Sequence, residues 1–273
     1  MTRIFVSCSL AALAGLAVAA AVLVSPASAS ESWNGIRAEV YGGRTIHDGR
    51  GVVTLKAPYR PDDVRSVPIS AEAHFADGRT IKSISFIVDK NPSPVAAVFK
   101  LGGARDRAAI TTHIRLDQQS DVRIVVETSD GALYMAEQLV KFAGGQASCS
   151  APPVGDPAEI AANMGKMDFA AIGDKATASH QRQQARFVLN HPNHTGMVLD
   201  PLTLFYVPLL MVNTIEARQG GEVVFEMTGS ITLAQNPYVE FDYITNGAAE
   251  MTVTATDTSA ASWKRDFPIG PAS

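Results

Sequence analysis

The stretch Ile110-Thr111-Thr112-His113-Ile114-Arg115-Leu116 decides the fold class, because Ile110, Thr112, Ile114 and Leu116 alternate with Thr111, His113 and Arg115. A period of two sends successive side chains to opposite faces, so the run predicts a strand with one face toward a core. Working outward, Ile84, Phe86 and Val88 alternate with Ser83, Ser85 and Ile87, and Val122, Ile124 and Val126 keep the same period. Asp77-Gly78 and Asp130-Gly131 lie between such runs and predict hairpin turns, since glycine accepts the positive φ those turns need. No amphipathic helix is expected between Trp33 and Phe142. Evenly spaced strands without helices predict an antiparallel β-sandwich of immunoglobulin size, roughly 100 residues, over residues 33–143.

Beyond residue 143 the composition shifts to small residues and prolines, through Gly144, Gly145, Pro152, Pro153, Gly155 and Pro157. This predicts a flexible linker over residues 144–166. Patterning resumes at Met167 and includes Arg186–Asn190, Tyr206–Arg218, Glu222–Met227, Val239–Ile244 and Glu250–Ala255, broken by Gln219-Gly220-Gly221 and Asn246-Gly247. A second small sandwich over residues 167–270 is the simplest account. The chain is thus expected to be all-β, with two immunoglobulin-like antiparallel sandwiches joined by a flexible, cysteine-bearing linker. The run Val207, Leu209, Leu210 and Met211 is too continuous for a strand with one wet face, which predicts that the two sandwiches pack against one another and that Tyr206–Val212 contributes to a strand at or near their contact.

At the N-terminus Arg3 precedes an apolar stretch from Ile4 to Val24, followed by Pro26 and Ala27-Ser28-Ala29. A basic start, an apolar segment and a small-x-small site predict a signal peptide over residues 1–29, cleaved after Ala29, with no membrane anchor retained. A periplasmic location is therefore expected. The net charge of -4, without a basic face or a run of like charge, argues against nucleic-acid and membrane-surface partners.

The cysteine count is the most informative number in the chain. Of two cysteines, Cys8 leaves with the signal peptide and Cys149 has no intramolecular partner. In an oxidising compartment an unpaired thiol implies intermolecular pairing, a reactive role or concealment in a core. The surroundings, Ala147-Ser148-Cys149-Ser150-Ala151-Pro152-Pro153, have neither strand nor helix periodicity, so Cys149 is expected to be exposed. Lys141 and Asp156 are the nearest charges in sequence, which predicts a thiol close to the ordinary value of about 8.5. From Gly144, the first residue of the expected Gly144-Gly145 hinge, the chain to Cys149 reaches at most about 17 Å when extended, at roughly 3.4 Å per residue.

Several motifs resemble a pair of bacterial proteins of thiosulfate oxidation. Asn91-Pro92-Ser93-Pro94, Ile114-Arg115-Leu116 leading through Gln119-Ser120-Asp121-Val122-Arg123 to Asp130-Gly131, and the Gly144, Gly145 and Cys149 segment resemble SoxY. His191-Pro192 with Thr195-Gly196, then Ile231-Thr232-Leu233-Ala234-Gln235-Asn236-Pro237 and Phe241, resemble SoxZ. As a single chain the protein looks most like the fused SoxYZ-like carriers associated with quinoprotein dehydrogenases. The resemblance implies a covalent carrier whose Cys149 holds a sulfur-containing adduct on a swinging arm, with no other cofactor. It implies as partners periplasmic redox or sulfur-transfer enzymes, a quinoprotein dehydrogenase and cytochrome c among them. Two departures stand out. Gln146, Ala147 and Ser148 separate Gly145 from Cys149, where the family has a Gly-Gly-Cys-Gly tail, and Asn193-His194 replace the Met-Glu of His-Pro-Met-Glu-Thr-Gly.

His191 and His194, with Met197 nearby, offer copper-type ligands, although a polar loop accounts for them equally and no metal site is assigned. Asn91-Pro92 and Asn236-Pro237 read as strand-end turns. The sequence has no Gly-x-Ser-x-Gly elbow, His-Glu-x-x-His, dinucleotide fingerprint or phosphate loop, which favours a carrier over an enzyme. The competing reading is a non-covalent adaptor or metallochaperone for a quinoprotein dehydrogenase.

Overall fold

The computed structural model describes residues 27–142, 144, 147–173 and 180–270. The alternating runs form strands as expected: β1 (Ile46–Asp48), β2 (Val53–Lys56), β3 (Val67–His74), β4 (Ile81–Val88), β5 (Val95–Leu101), β6 (Arg107–Ile114), β7 (Ser120–Thr128) and β8 (Leu133–Val140) in the first half. The second half holds β9 (Met167–Ile172), β10 (Arg182–Leu189), β11 (Val212–Gln219), β12 (Glu222–Gly229), β13 (Tyr238–Ile244), β14 (Glu250–Asp257) and β15 (Ser262–Pro268). Each half is an immunoglobulin-like sandwich, and their sheets join edge to edge. One sheet runs β1-β8-β7-β4-β5-β12-β11-β14-β15 and the other β2-β3-β6-β13-β10-β9.

The seam consists of two antiparallel ladders. β5 pairs with β12, placing Phe99 opposite Met227, and β6 pairs with β13, placing Ile110 opposite Phe241. Gly102 ends β5 where an added Cβ would lie 1.8 Å from the Val223 carbonyl oxygen, so only glycine lets the two strands close there. Arg105 stitches the seam, donating from Nη1 to the Asp242 carbonyl at 3.0 Å and from Nη2 to that of Val224. Beneath it, Phe86, Phe99, Phe225 and Phe241 stand edge-to-face in line, with centroids 5.5, 5.6 and 4.9 Å apart. A single apolar core therefore spans both halves.

Four expectations are corrected. A helix, α1 (Ala27–Tyr41), precedes the strands; its Trp33, Ile36 and Tyr41 cover Ile87, Val125 and Leu133, so β4 and β7 are buried on both faces. The Trp33 ring lies 4.5 Å from the Arg123 guanidinium, which is itself paired with buried Asp89 at 2.8 Å. The expected cleavage point after Ala29 falls within α1, and residues 1–26 lie outside the described residues. Second, Asp130-Gly131 and Gln219-Gly220-Gly221 do close hairpins, but Asp77-Gly78 and Asn246-Gly247 carry the chain from one sheet to the other. Third, the two halves pack together as expected, but of Tyr206–Val212 only Val212 lies in a strand, opening β11, and Tyr206–Met211 is not one. It belongs to a loop whose β-pairing is confined to isolated bridges, Leu199 with Tyr206 and His194 with Leu210, and in which Tyr206, Leu209 and the preceding Phe205 are exposed.

The fourth correction concerns the linker, of which the described part lies against the protein as ordered structure. Ser148–Ser150 form a 3-10 turn, and Pro157–Asn163 form a short helix, α2, capped by Asp156 through the Ala158 and Glu159 N–H groups. The Gln235 side chain accepts from the Val154 N–H at 2.7 Å and donates to the Val154 carbonyl at 3.0 Å, so it pairs with the linker as a strand would. Gly165, at φ +84°, packs where an added Cβ would meet the Trp263 indole at 2.0 Å. Gly144 has φ +96° and open space around its Cα, whereas Gly145 lies outside the described residues.

Candidate functional site

The motifs that stood apart in sequence converge where the two halves meet. The Asn91 side chain donates to the Arg115 carbonyl at 2.7 Å and accepts from the Asp117 N–H at 3.0 Å, which fixes the chain just after β6. From the second half, the Thr232 carbonyl accepts from the Arg115 N–H, and its hydroxyl donates to the Ser93 carbonyl at 2.5 Å. Asn193 donates to the Leu233 and Ala234 carbonyls at 3.0 and 3.1 Å and accepts from the Val212 N–H at 2.8 Å. Asn236 and His191 exchange hydrogen bonds at 2.9 and 3.0 Å. The expected strand-end turns are thus also the brackets of the seam.

Into this bracket the linker places Cys149, with none of its surface exposed. Its N–H donates to Asp117 Oδ1 at 2.6 Å, and its carbonyl accepts from Thr195 Oγ1 at 2.5 Å. Asp117 belongs to the first half and Thr195 to the second, so the cysteine is clasped by both. The exposed thiol expected from composition is therefore corrected: tertiary hydrogen bonds satisfy the turn's backbone, which allows its small residues to be buried. Two consequences follow for the chemistry. Burial, and then the Asp117 carboxylate and a hydrogen bond to it, push the thiol up to about 12, against the weaker opposing pull of Arg115. The docked thiol is thus protonated at neutral pH and unreactive, since thiolate is the nucleophile.

Arg115 supplies the cation beside this recess, but its Nη1 donates to the Ile231 and Leu233 carbonyls at 3.2 and 2.7 Å, and burial holds the guanidinium below its ordinary value. His191 is fully buried. Its Nδ1 accepts from the Asn193 N–H at 3.0 Å, which leaves Nε2 facing Asp257 Oδ2 at 3.4 Å. Both ring nitrogens are occupied, so His191 and His194 do not form a ligand pair. His194 Nδ1 is buried without a partner, and burial lowers the ring's pKa. Among the described residues no three His, Cys, Asp or Glu side chains are grouped as metal ligands, and no helix is long and apolar enough to cross a membrane. Beside the clasp lies a groove of about 590 Å³ between Pro153, Ile160 and Met164 on one wall and His194, Val198 and Leu199 on the other.

Sequence reasoning singled out Cys149 and the surrounding motifs, but missed the roles of Asp117 and Thr195. Both stand inside or beside motifs already noted, after Ile114-Arg115-Leu116 and within His191–Gly196. Nothing local signals that they meet the linker.

Residues 37–146 match the family model for sulfur oxidation protein SoxY, and residues 172–268 match that for sulphur oxidation protein SoxZ. No curated protein matches the chain in sequence. Among solved structures, the sulfur carrier protein SoxY from Chlorobium limicola f thiosulfatophilum is 22% identical over 42% of this chain and 94% of its own, with a TM-score of 0.36. A candidate superoxide reductase from Thermotoga maritima is 13% identical over 36% of this chain and 92% of its own, with a TM-score of 0.30. The family assignment rests on the two family matches and not on these distant structural likenesses. With a SoxY domain followed by a SoxZ domain, the chain belongs to the fused SoxYZ-like proteins, a family of sulfur-oxidation carriers.

Proposed function

We propose that the protein is an exported covalent carrier that holds a sulfur-containing intermediate on Cys149 and passes it between periplasmic redox enzymes, a quinoprotein dehydrogenase system among them. The observation that carries this reading is the position of Cys149, clasped at the seam where the SoxY and SoxZ motifs converge. A soft sulfur makes and breaks such bonds through its thiolate. The docked thiol is protonated, so loading and transfer require the Ser148–Ser150 turn to leave the recess. The ordered recess then shelters the thiol from the oxidation that an exposed one suffers in an oxidising compartment.

Intact-mass measurement and peptide mapping of protein purified from its native host under non-reducing conditions test the reading. A reductant-labile sulfur adduct on Cys149 is expected. A free thiol under sulfur-replete growth, or a disulfide-linked dimer through Cys149, counts against it. The burial of Cys149 itself favours a second reading, a non-covalent adaptor in which the cysteine is structural. Replacement of Cys149 by Ser separates the two, because a carrier loses its activity and an adaptor keeps partner binding and most of its effect.

A further inference from the structure

The recess around Cys149 is matched to one chemical form of the arm. Cys149 and its neighbour Ser148 are both buried, so atoms added to Sγ must displace close-packed neighbours or turn the side chain toward the groove beside Pro153 and His194. A sulfur oxyanion on Sγ adds several heavy atoms and at least one negative charge. The acidic group beside the thiol is Asp117, whose Oδ1 is fixed by the Cys149 N–H at 2.6 Å. Of the basic groups nearby, Arg115 favours negative charge on Sγ, but less than Asp117 opposes it, with its Nη1 directed to two carbonyls, and His194 is held toward its neutral form. The displacement an adduct requires and the like charge of Asp117 therefore both oppose a loaded Cys149 in its present position, whereas the bare thiol fits.

We propose that the clasp formed by Asp117 and Thr195 discriminates between loading states: it retains the arm while Cys149 is a bare thiol and releases it when Cys149 carries an anionic sulfur adduct. The empty carrier is thereby withdrawn from partners, and the loaded carrier displays its turn. Asp117 and Thr195 act as positioning residues that touch the arm's backbone. This inference rests on the carrier reading for its biological meaning, but the docking itself is measured without the native cargo.

The full chain is alkylated to completion at Cys149 with iodoacetamide, which adds a neutral group, or iodoacetate, which adds a nearly isosteric anion. Amide hydrogen exchange is then read over residues 147–155, with the urea midpoint recording global stability. The bare thiol is expected to protect the Cys149 N–H. The carboxymethyl form is expected to exchange there at least about 100-fold faster, the carboxamidomethyl form at an intermediate rate, and Asp117→Asn is expected to bring the two adducts together. A carboxymethyl form as protected as the thiol overturns the proposal. Equal exchange of both adducts in wild type overturns its charge component, as does a rise explained wholly by a lower urea midpoint. Absence of a sulfur adduct in the native host refutes the carrier reading and leaves these exchange results standing, so the two failures are distinguishable.

Discussion

Removing the Asp117 carboxylate is the sharpest perturbation of the docked arm. Its hydrogen bond from the Cys149 N–H, at 2.6 Å, is buried and charge-assisted, a class worth about 1.5–3 kcal/mol. At roughly 1.4 kcal/mol per tenfold, Asp117→Ala should raise the open population of the arm by about 10- to 150-fold. Thr195→Val removes a neutral hydroxyl donor from the Cys149 carbonyl, worth about 0.5–1.5 kcal/mol, and should raise it roughly 2- to 12-fold. The assay is the rate at which Cys149 reacts with a bulky maleimide at neutral pH. When reclosing outpaces labelling, that rate is the open population multiplied by the rate for a free peptide thiol. Wild type should therefore react far more slowly than an unstructured peptide. Asp117→Asn keeps an acceptor for the Cys149 N–H while losing the charge, and should fall between wild type and Asp117→Ala. Asp89 and Arg123, paired elsewhere in the first half, supply a control in which lost stability leaves labelling governed by the urea midpoint alone. A wild-type rate equal to the peptide rate refutes the reasoning, and so does Asp117→Ala labelling within twofold of wild type.

Two further outcomes follow from the same structure. The Cys149 thiol, raised by burial and then by Asp117 from 9.0 to about 12, should hold the arm docked with full strength below about pH 9. That contribution weakens as pH rises from 9 toward 12, where the open thiolate is increasingly favoured; amide exchange over residues 147–155, relative to its intrinsic pH dependence, should therefore hold steady up to about pH 9 and accelerate above it, and a ratio that stays flat is the contrary result. Because Phe225 lies between Phe99 and Phe241 in the shared core, Phe225→Ala should cost about 3–5 kcal/mol and shift one cooperative urea transition that includes both halves, whereas two separate transitions with only one displaced would show that the cores are independent.

Much of the fold is legible in the sequence because the sheets are built on a period of two, and Ile110, Thr112 and Ile114 turn inward as their alternation requires. What joins the sheets is not legible. β5 meets β12 and β6 meets β13 through main-chain ladders, which any strand edge offers, so side-chain pattern does not mark the partner. The two Asp-Gly pairs make the same point, since both put glycine at positive φ, yet one closes a hairpin and the other crosses between sheets. Helix α1 escapes notice because only Trp33, Ile36 and Tyr41 of its described side chains are buried, a stripe too thin to outweigh its polar neighbours.

Cys149 shows how the same residues serve two opposite readings. Ala147, Ser148, Ser150 and Ala151 lack the bulk and periodicity of an element of secondary structure, and in isolation such a segment is a tether. Their small side chains are also what lets the turn approach Asp117 and Thr195 closely enough for both backbone hydrogen bonds. The burial is set by groups 32 and 46 residues away in sequence, so composition constrains the segment's size and hydrogen-bonding capacity but not its position. A carrier needs both properties at once. A segment held by two backbone hydrogen bonds and one side-chain clasp at Gln235 is secure while the thiol is empty, and remains without the large apolar side chains whose exposure on release would be costly.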